Sequence, residues 1–79
     1  MYLHIGGEDI VPNKEVIAII DYEAIKKSEA SREFLQIAEL EGVLEKTMSD
    51  DKIKSCIITD QKIYLSSISA GTLLRRSKK

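Results

Sequence analysis

Apolar and polar positions along the chain fall into short stretches with two different periods. Tyr2 to Ile5 alternates, with Tyr2 and His4 on one side and Leu3 and Ile5 on the other, as a strand with one buried face does. Gly6-Gly7 then supplies a turn pair able to adopt positive φ, and Ile10-Val11 forms the returning arm of a hairpin. Pro12 cannot donate to a ladder, so pairing should stop there, with Asn13 in a turn. Val16-Ile17-Ala18-Ile19-Ile20 shows no alternation at all. Its β-branched content and its length make it a strand that is apolar on both faces. In 79 residues with one substantial helix, the far face of such a strand calls for a covering. We therefore expect a second chain against Val16, Ile17, Ile19 and Ile20, or against Ile57 and Ile58 on its neighbour.

A helical period follows. Ala30, Phe34, Ile37 and Ala38 recur at i, i+4, i+7 and i+8, flanked by Leu35 and Leu40, and predict an amphipathic helix over about residues 28–41. Ser28 suits its N-cap, Glu29 and Glu33 lie near the positive end of its dipole, and Gly42 suits its stop. Val43 to Lys46 reads as a short strand and Met48 to Lys52 as a polar connection. Lys54 to Thr59 and Lys62 to Ser66 are strand-like and meet at Asp60-Gln61, a tight hairpin. Ser69 caps a last helix over about 69–76, with Leu73 and Leu74 inward and Arg75 and Arg76 outward. Residues 77–79 read as a frayed basic tail. The pattern β-β-β-α-β-β-β-α is an α+β domain built on a small antiparallel sheet of about five strands.

Composition changes this picture in a few places. Length allows a single domain, residues 1–79, with a thin core. Its lone Cys56 cannot form an internal disulfide, and one His with one Cys cannot make the usual four-ligand zinc site. The longest apolar run is the five residues Val16 to Ile20, short of the roughly 20 a membrane span needs. No leader pattern opens the chain, so a cytoplasmic location without a membrane partner is expected. The net charge of −1 conceals an asymmetry: 5 basic against 11 acidic side chains in residues 1–50, and 7 against 2 in residues 51–79. Such polarity points toward an anionic partner, and Arg75-Arg76-Ser77-Lys78-Lys79 concentrates it.

Catalytic chemistry finds no foothold. His4 has no second imidazole or cysteine at ligand spacing, and scattered serines do not make a triad. Cys56 sits mid-strand as a small hydrophobe. Gly6-Gly7 lacks the trailing Gly-Lys-Ser/Thr of a phosphate loop, and no Asp-x-Asp-x-Asp-Gly run is present. We expect no enzyme, no cofactor, no metal and no small-molecule substrate.

Several segments carry a family likeness. Met1-Tyr2-Leu3-His4-Ile5-Gly6, Val16-Ile17-Ala18-Ile19-Ile20-Asp21-Tyr22, Glu33-Phe34-Leu35, Lys54-Ser55-Cys56-Ile57-Ile58-Thr59, Ile63-Tyr64 to Ser67, and Thr72-Leu73-Leu74-Arg75-Arg76 fall in one order. Together they resemble the extracellular-matrix regulator family of Gram-positive bacteria, the RemA/RemB proteins, over nearly the whole chain. The Tyr-x-His start and the Asp-aromatic end of the third strand are nearest the RemB branch. The resemblance implies a LytTR-like fold and a cytoplasmic, non-enzymatic transcriptional regulator of biofilm-matrix genes. It also implies double-stranded DNA as partner and assembly into a closed homo-oligomeric ring.

RemA-type members carry an arginine just before the third strand, where this chain has Lys14-Glu15. They carry paired arginines before the Cys56 strand, where this chain has Asp50-Asp51-Lys52-Ile53-Lys54. The DNA contacts expected here are therefore phosphate contacts from Lys14, Lys52, Lys54, Arg75 and Arg76, set against neighbouring acids that repel phosphate. The alternative is a homo-oligomeric protein-interaction module that regulates through a protein partner, with the acidic half as its docking face.

Overall fold

A computed structural model describes residues 2–6, 9–46 and 52–77. The described chain runs β1 (Tyr2–Gly6), β2 (Asp9–Pro12), a 3-10 turn (Asn13–Glu15), β3 (Val16–Asp21), α1 (Tyr22–Lys26), α2 (Glu29–Leu40), β4 (Leu44–Lys46), β5 (Ser55–Thr59), β6 (Ile63–Ser66) and α3 (Ala70–Ser77). The class is α+β, as the periodicity predicts.

The strands differ from one five-stranded antiparallel sheet. β1 and β2 form a two-stranded hairpin, and a separate four-stranded sheet has the order β3-β5-β6-β4. β3 pairs antiparallel with β5, β5 antiparallel with β6, and β4 parallel with β6. The parallel pair has a topological cause. The segment from β3 to β4 is a crossover through α1 and α2, and such a connection returns a strand in its original direction.

Helix ends follow local chemistry. Ser28 Oγ accepts from the Ser31 amide at 3.2 Å, the N-cap bond that its side chain predicts. At the other end Gly42 has φ +78, and the Gly42 and Val43 amides donate to the Glu39 and Ala38 carbonyls at 3.1 Å each. This is a Schellman stop, which needs the left-handed residue that glycine supplies. Asp21 adds a cap not foreseen from the pattern, accepting from the Glu23 amide at 3.1 Å to start α1. Between β5 and β6, Thr59 Oγ1 accepts from the Lys62 amide at 2.9 Å and donates to its carbonyl at 2.7 Å. That closes the Asp60-Gln61 hairpin. The Gly6-Gly7 turn falls partly outside the described residues, as does the Met48 to Lys52 connection.

Two apolar clusters sandwich the larger sheet. On one face Ile25, Ala38, Ile53, Cys56, Ile63 and Leu65 pack with Ile20, Leu35, Leu44 and Ile58 at the margin. On the other face Leu3, Ile5, Val11, Ile57 and Leu73 pack with Val16, Ile19, Tyr64 and Ile68. The strand predicted to be apolar on both faces is so, but the chain supplies both covers itself. The β1–β2 hairpin and α3 take one face, and α1 and α2 the other.

A serine stitches hairpin to sheet. Buried Ser66 donates through Oγ to the Ile5 carbonyl and accepts from the Ile68 amide at 3.0 Å. Ser55 Oγ, equally buried, donates to the Ile68 carbonyl at 2.6 Å. A buried hydroxyl bonded on both sides holds elements in register as no apolar contact can.

The predicted face of α2 is rotated. Leu35 and Ala38 reach the core, while Phe34 is 46%, Ile37 55% and Leu40 87% exposed. The physical reason is α1, which packs over β3 and β5 and against α2. It fills the space that a wider apolar stripe would have occupied, and small Ala38 lets the α2 backbone come close.

Candidate nucleic-acid interface

α3 is the scaffold of the basic surface. Ser69 Oγ accepts from the Thr72 amide at 3.3 Å, starting the helix where a hydroxyl cap was expected. Buried Leu73 anchors it in the second cluster, and Leu74, Arg75 and Arg76 are exposed. Both arginines lie in the last turn, where positive charge is favoured by the helix dipole. Arg75 Nη2 donates to Thr72 Oγ1 at 3.2 Å, and Arg76 Nη1 donates to the His4 carbonyl at 3.2 Å. Arg76 thus joins the end of α3 to β1, 72 positions away in sequence.

Lys14 comes to the same end of the helix. It sits exposed in the 3-10 turn, whose Asn13 Nδ2 donates to the Ser77 carbonyl at 3.5 Å. The turn that carries Lys14 is thereby fastened to the end of the helix that carries Arg75 and Arg76, with half-buried Glu15 adjoining Lys14, while the Arg75 guanidinium reaches back to Thr72 and Gly71. Lys54 lies toward the other end of α3, beside Ser69, Ala70 and Gly71. Its backbone is fixed on both sides, the Lys54 amide donating to the Ser66 carbonyl at 2.8 Å and the Tyr22 amide donating to the Lys54 carbonyl at 3.0 Å. The side chain borders a cavity of about 260 Å³ with Asp21, Glu23, Ile53, Ser69, Ala70 and Gly71. Two carboxylates face Lys54 there, which weakens it as a phosphate contact. Lys52 is exposed. Asp50, Asp51, Lys78 and Lys79 lie outside the described residues.

The structure thus ties the turn carrying Lys14 to the last turn of α3, which carries Arg75 and Arg76, and sets Lys54 among acids. Sequence reasoning had α3 itself. What it missed is the Asn13–Ser77 bond that brings Lys14 in, because nothing local marks a contact across 64 positions.

The expected oligomer residues have a different distribution. Ile57 is fully enclosed within one chain, and Val16, Ile19, Ile20 and Ile58 are half-buried against its two clusters. Only Ile17 is largely exposed, at 67%. It is the extra residue of a β-bulge, since Val16 pairs with Thr59 and Ala18 with the adjacent Ile58. A bulge re-aims the side chain it inserts, and here it turns an isoleucine away from both cores. A further exposed apolar surface lies on α2, where Ala30, Phe34, Ile37 and Leu40 stand among Glu29, Glu33 and Glu41.

The remaining candidate groups are structural. His4 faces outward beside Tyr2 and pairs across the hairpin with Ile10. Cys56 is wholly buried, and burial pushes its thiol from 9.0 up to about 11. A thiol so placed is not a nucleophile near neutrality. Among the described residues no helix is long and apolar enough to cross a membrane.

Two comparisons bear on this surface. Residues 2–76 match the family described as RemA-like, extracellular matrix regulatory protein A-like. The extracellular matrix regulatory protein B of Bacillus subtilis (strain 168) is 31% identical over 78 residues, covering 99% of this chain and 91% of that protein.

Proposed function

Since this chain belongs to the RemA-like family of extracellular matrix regulatory proteins, we propose that it regulates matrix genes by binding double-stranded DNA as a homo-oligomer. The B protein of Bacillus subtilis carries a matrix-regulating role in its name, and the same role is the reading for this chain. The family is one of regulators, so we assign no catalysis. The contacts are to backbone phosphates, from Lys14, Arg75 and Arg76, with Lys52 and Lys54 contributing less.

The observation that supports this reading is that the turn carrying Lys14 is fastened to the end of α3, the helix that presents exposed Arg75 and Arg76. In a chain with net charge −1, three exposed cations carried by two elements that the fold ties together are more than a solvated charge run. Three phosphate contacts per subunit give a slope of about −2.7 in log K against log salt, and copies in a ring multiply it. Transcriptional control from the cytoplasm follows from such an activity.

The test is fluorescence anisotropy of a labelled duplex of about 40 base pairs between roughly 50 and 200 mM salt. Binding should weaken steeply, and Lys14→Gln and Arg75→Gln should each reduce the slope by about 0.9 per subunit engaged. Absence of binding at the lowest salt, or an unchanged slope in both variants, overturns the DNA reading.

A second reading has its own observation, the acid-flanked apolar face of α2. Contiguous exposed apolar surface of this kind marks contact with another protein. On this reading Phe34, Ile37 and Leu40 form the subunit contact or receive a protein partner, in place of the β3 residues. Light scattering of Phe34→Ser/Leu40→Ser should show a lower mass than the unsubstituted protein; an unchanged oligomer removes this face from the assembly.

A further inference from the structure

A second charged concavity lies on the opposite side of the sheet from α3. It is a cleft of about 400 Å³ between α1 and α2, with β4 and β6 beneath. Its floor is apolar, made by Ile25, Leu35, Leu44 and Leu65, and its rim carries Lys26, Arg32 and Lys46 with one acid, Glu39. The volume falls within the range of sites that enclose small organic ligands.

The distribution of charge is what makes the cleft informative. Residues 1–50 hold 5 basic side chains against 11 acidic ones. Three of those five, from α1, α2 and β4, border this one cleft. No helix face or charge run groups them; only the fold does. Arg32 Nη1 donates to the Lys26 carbonyl, tying α2 to the end of α1 and committing one of five guanidinium donors. Lys26 Nζ stands 5.7 Å from the Tyr22 ring centre and 3.1 Å from Glu23 on the solvent side. Lys46 Nζ is 3.9 Å from Glu39 Oε2, a long and half-exposed pair that an arriving carboxylate can compete with.

We propose that this cleft binds a small free organic anion with an apolar body, the body on Ile25, Leu35, Leu44 and Leu65 and a carboxylate held by Arg32 and Lys46. An inorganic anion would make no use of the apolar floor, and a neutral apolar molecule none of Arg32 and Lys46, whereas a molecule with both parts engages both. This ligand site lies across the sheet from the proposed DNA surface and does not depend on it.

The experiment is a titration of ¹⁵N-labelled protein, followed by amide shifts, with four probes: octanoate, octanol, octylammonium and acetate. Octanoate should shift the Leu35, Gln36 and Leu44 amides saturably, octylammonium should leave them unmoved, and octanol and acetate should bind at least about tenfold more weakly. Arg32→Gln and Lys46→Gln, both at exposed positions, should each weaken octanoate by about tenfold. No saturable shift with octanoate, shifts centred elsewhere, equal binding of octanol or octylammonium, or unchanged affinity in both variants would each overturn the proposal.

Discussion

Ile57 is the residue whose truncation separates a self-covered sheet from one that needs a partner. It is fully buried among Leu3, Ile5, Val11 and Leu73, and its strand neighbours are Ile19 and Tyr64. Ile57→Val removes one methylene from a packed site that cannot collapse freely, at a cost of about 1 kcal/mol, and Ile57→Ala about 2–5 kcal/mol. For a chain this small, a urea slope of about 1 kcal/mol per molar converts the valine change into a midpoint drop near 1 M. The alanine variant would keep only about 0–3 of the roughly 5 kcal/mol typical of a small domain, and should unfold at much lower urea than the valine variant. The assay is urea unfolding followed by far-UV circular dichroism, at protein concentrations about a hundredfold apart. If Ile57 packs within its own chain, the valine drop is the same at both concentrations. A drop confined to the concentrated sample, accompanied by a lower mass in light scattering, would place Ile57 between subunits and refute the intrachain cover.

Other outcomes follow from the same geometry. Ser66→Ala leaves the Ile5 carbonyl and the Ile68 amide without their hydroxyl partner; it should cost about 2–3 kcal/mol and speed hydrogen exchange at the Ile68 amide. Cys56 should resist aromatic disulfide reagents at pH 8 in native protein and react on unfolding. Its thiol proton is held more tightly when folded, so stability is intact below pH 9.0 and falls as pH rises toward about 11, by up to about 3 kcal/mol. Urea midpoints compared with Cys56→Ala isolate that slope from other groups, and equal pH slopes would remove the assignment. Gly42→Ala meets no atom within 4 Å but must hold φ +78, so the cost is purely conformational, about 1 kcal/mol, or a melting point about 4–8 °C lower.

Features that rest on a few consecutive residues were legible in the sequence. Ser28, Gly42, Ser69 and the Asp60-Gln61 hairpin all behave as their local chemistry predicts, because a cap or turn is decided within one helical turn of chain. The doubly apolar β3 was legible too, but not what covers it. Burial of a face is a property of the whole fold, and hairpin and α3 arrive from opposite ends of the chain. The rotation of α2 was hidden for a related reason: its stripe is wider than the core can accept once α1 is in place. The bulge at Ile17 depends on pairing with β5, about forty positions on. At the candidate interface, Arg75 and Arg76 could be read directly, whereas the turn of Lys14 reaches their helix only through Asn13, and the α1–α2 cleft assembles its three cations only in three dimensions.

Leu73 closes the second cluster, and Arg76 and Asn13 fasten the last helix to the first strand and the turn that follows the hairpin. These contacts span 64 and 72 positions, so the loop they close is long, and closing it late is entropically the natural order. During synthesis, a nascent chain that ends before residue 73 can assemble the cluster beneath α1 and α2, yet leaves Leu3, Ile5 and Val11 uncovered. The hairpin, made earlier, waits for α3. A chain cut short before Leu73 is therefore a half-closed molecule with an open apolar face, an aggregation-prone product rather than a weaker regulator.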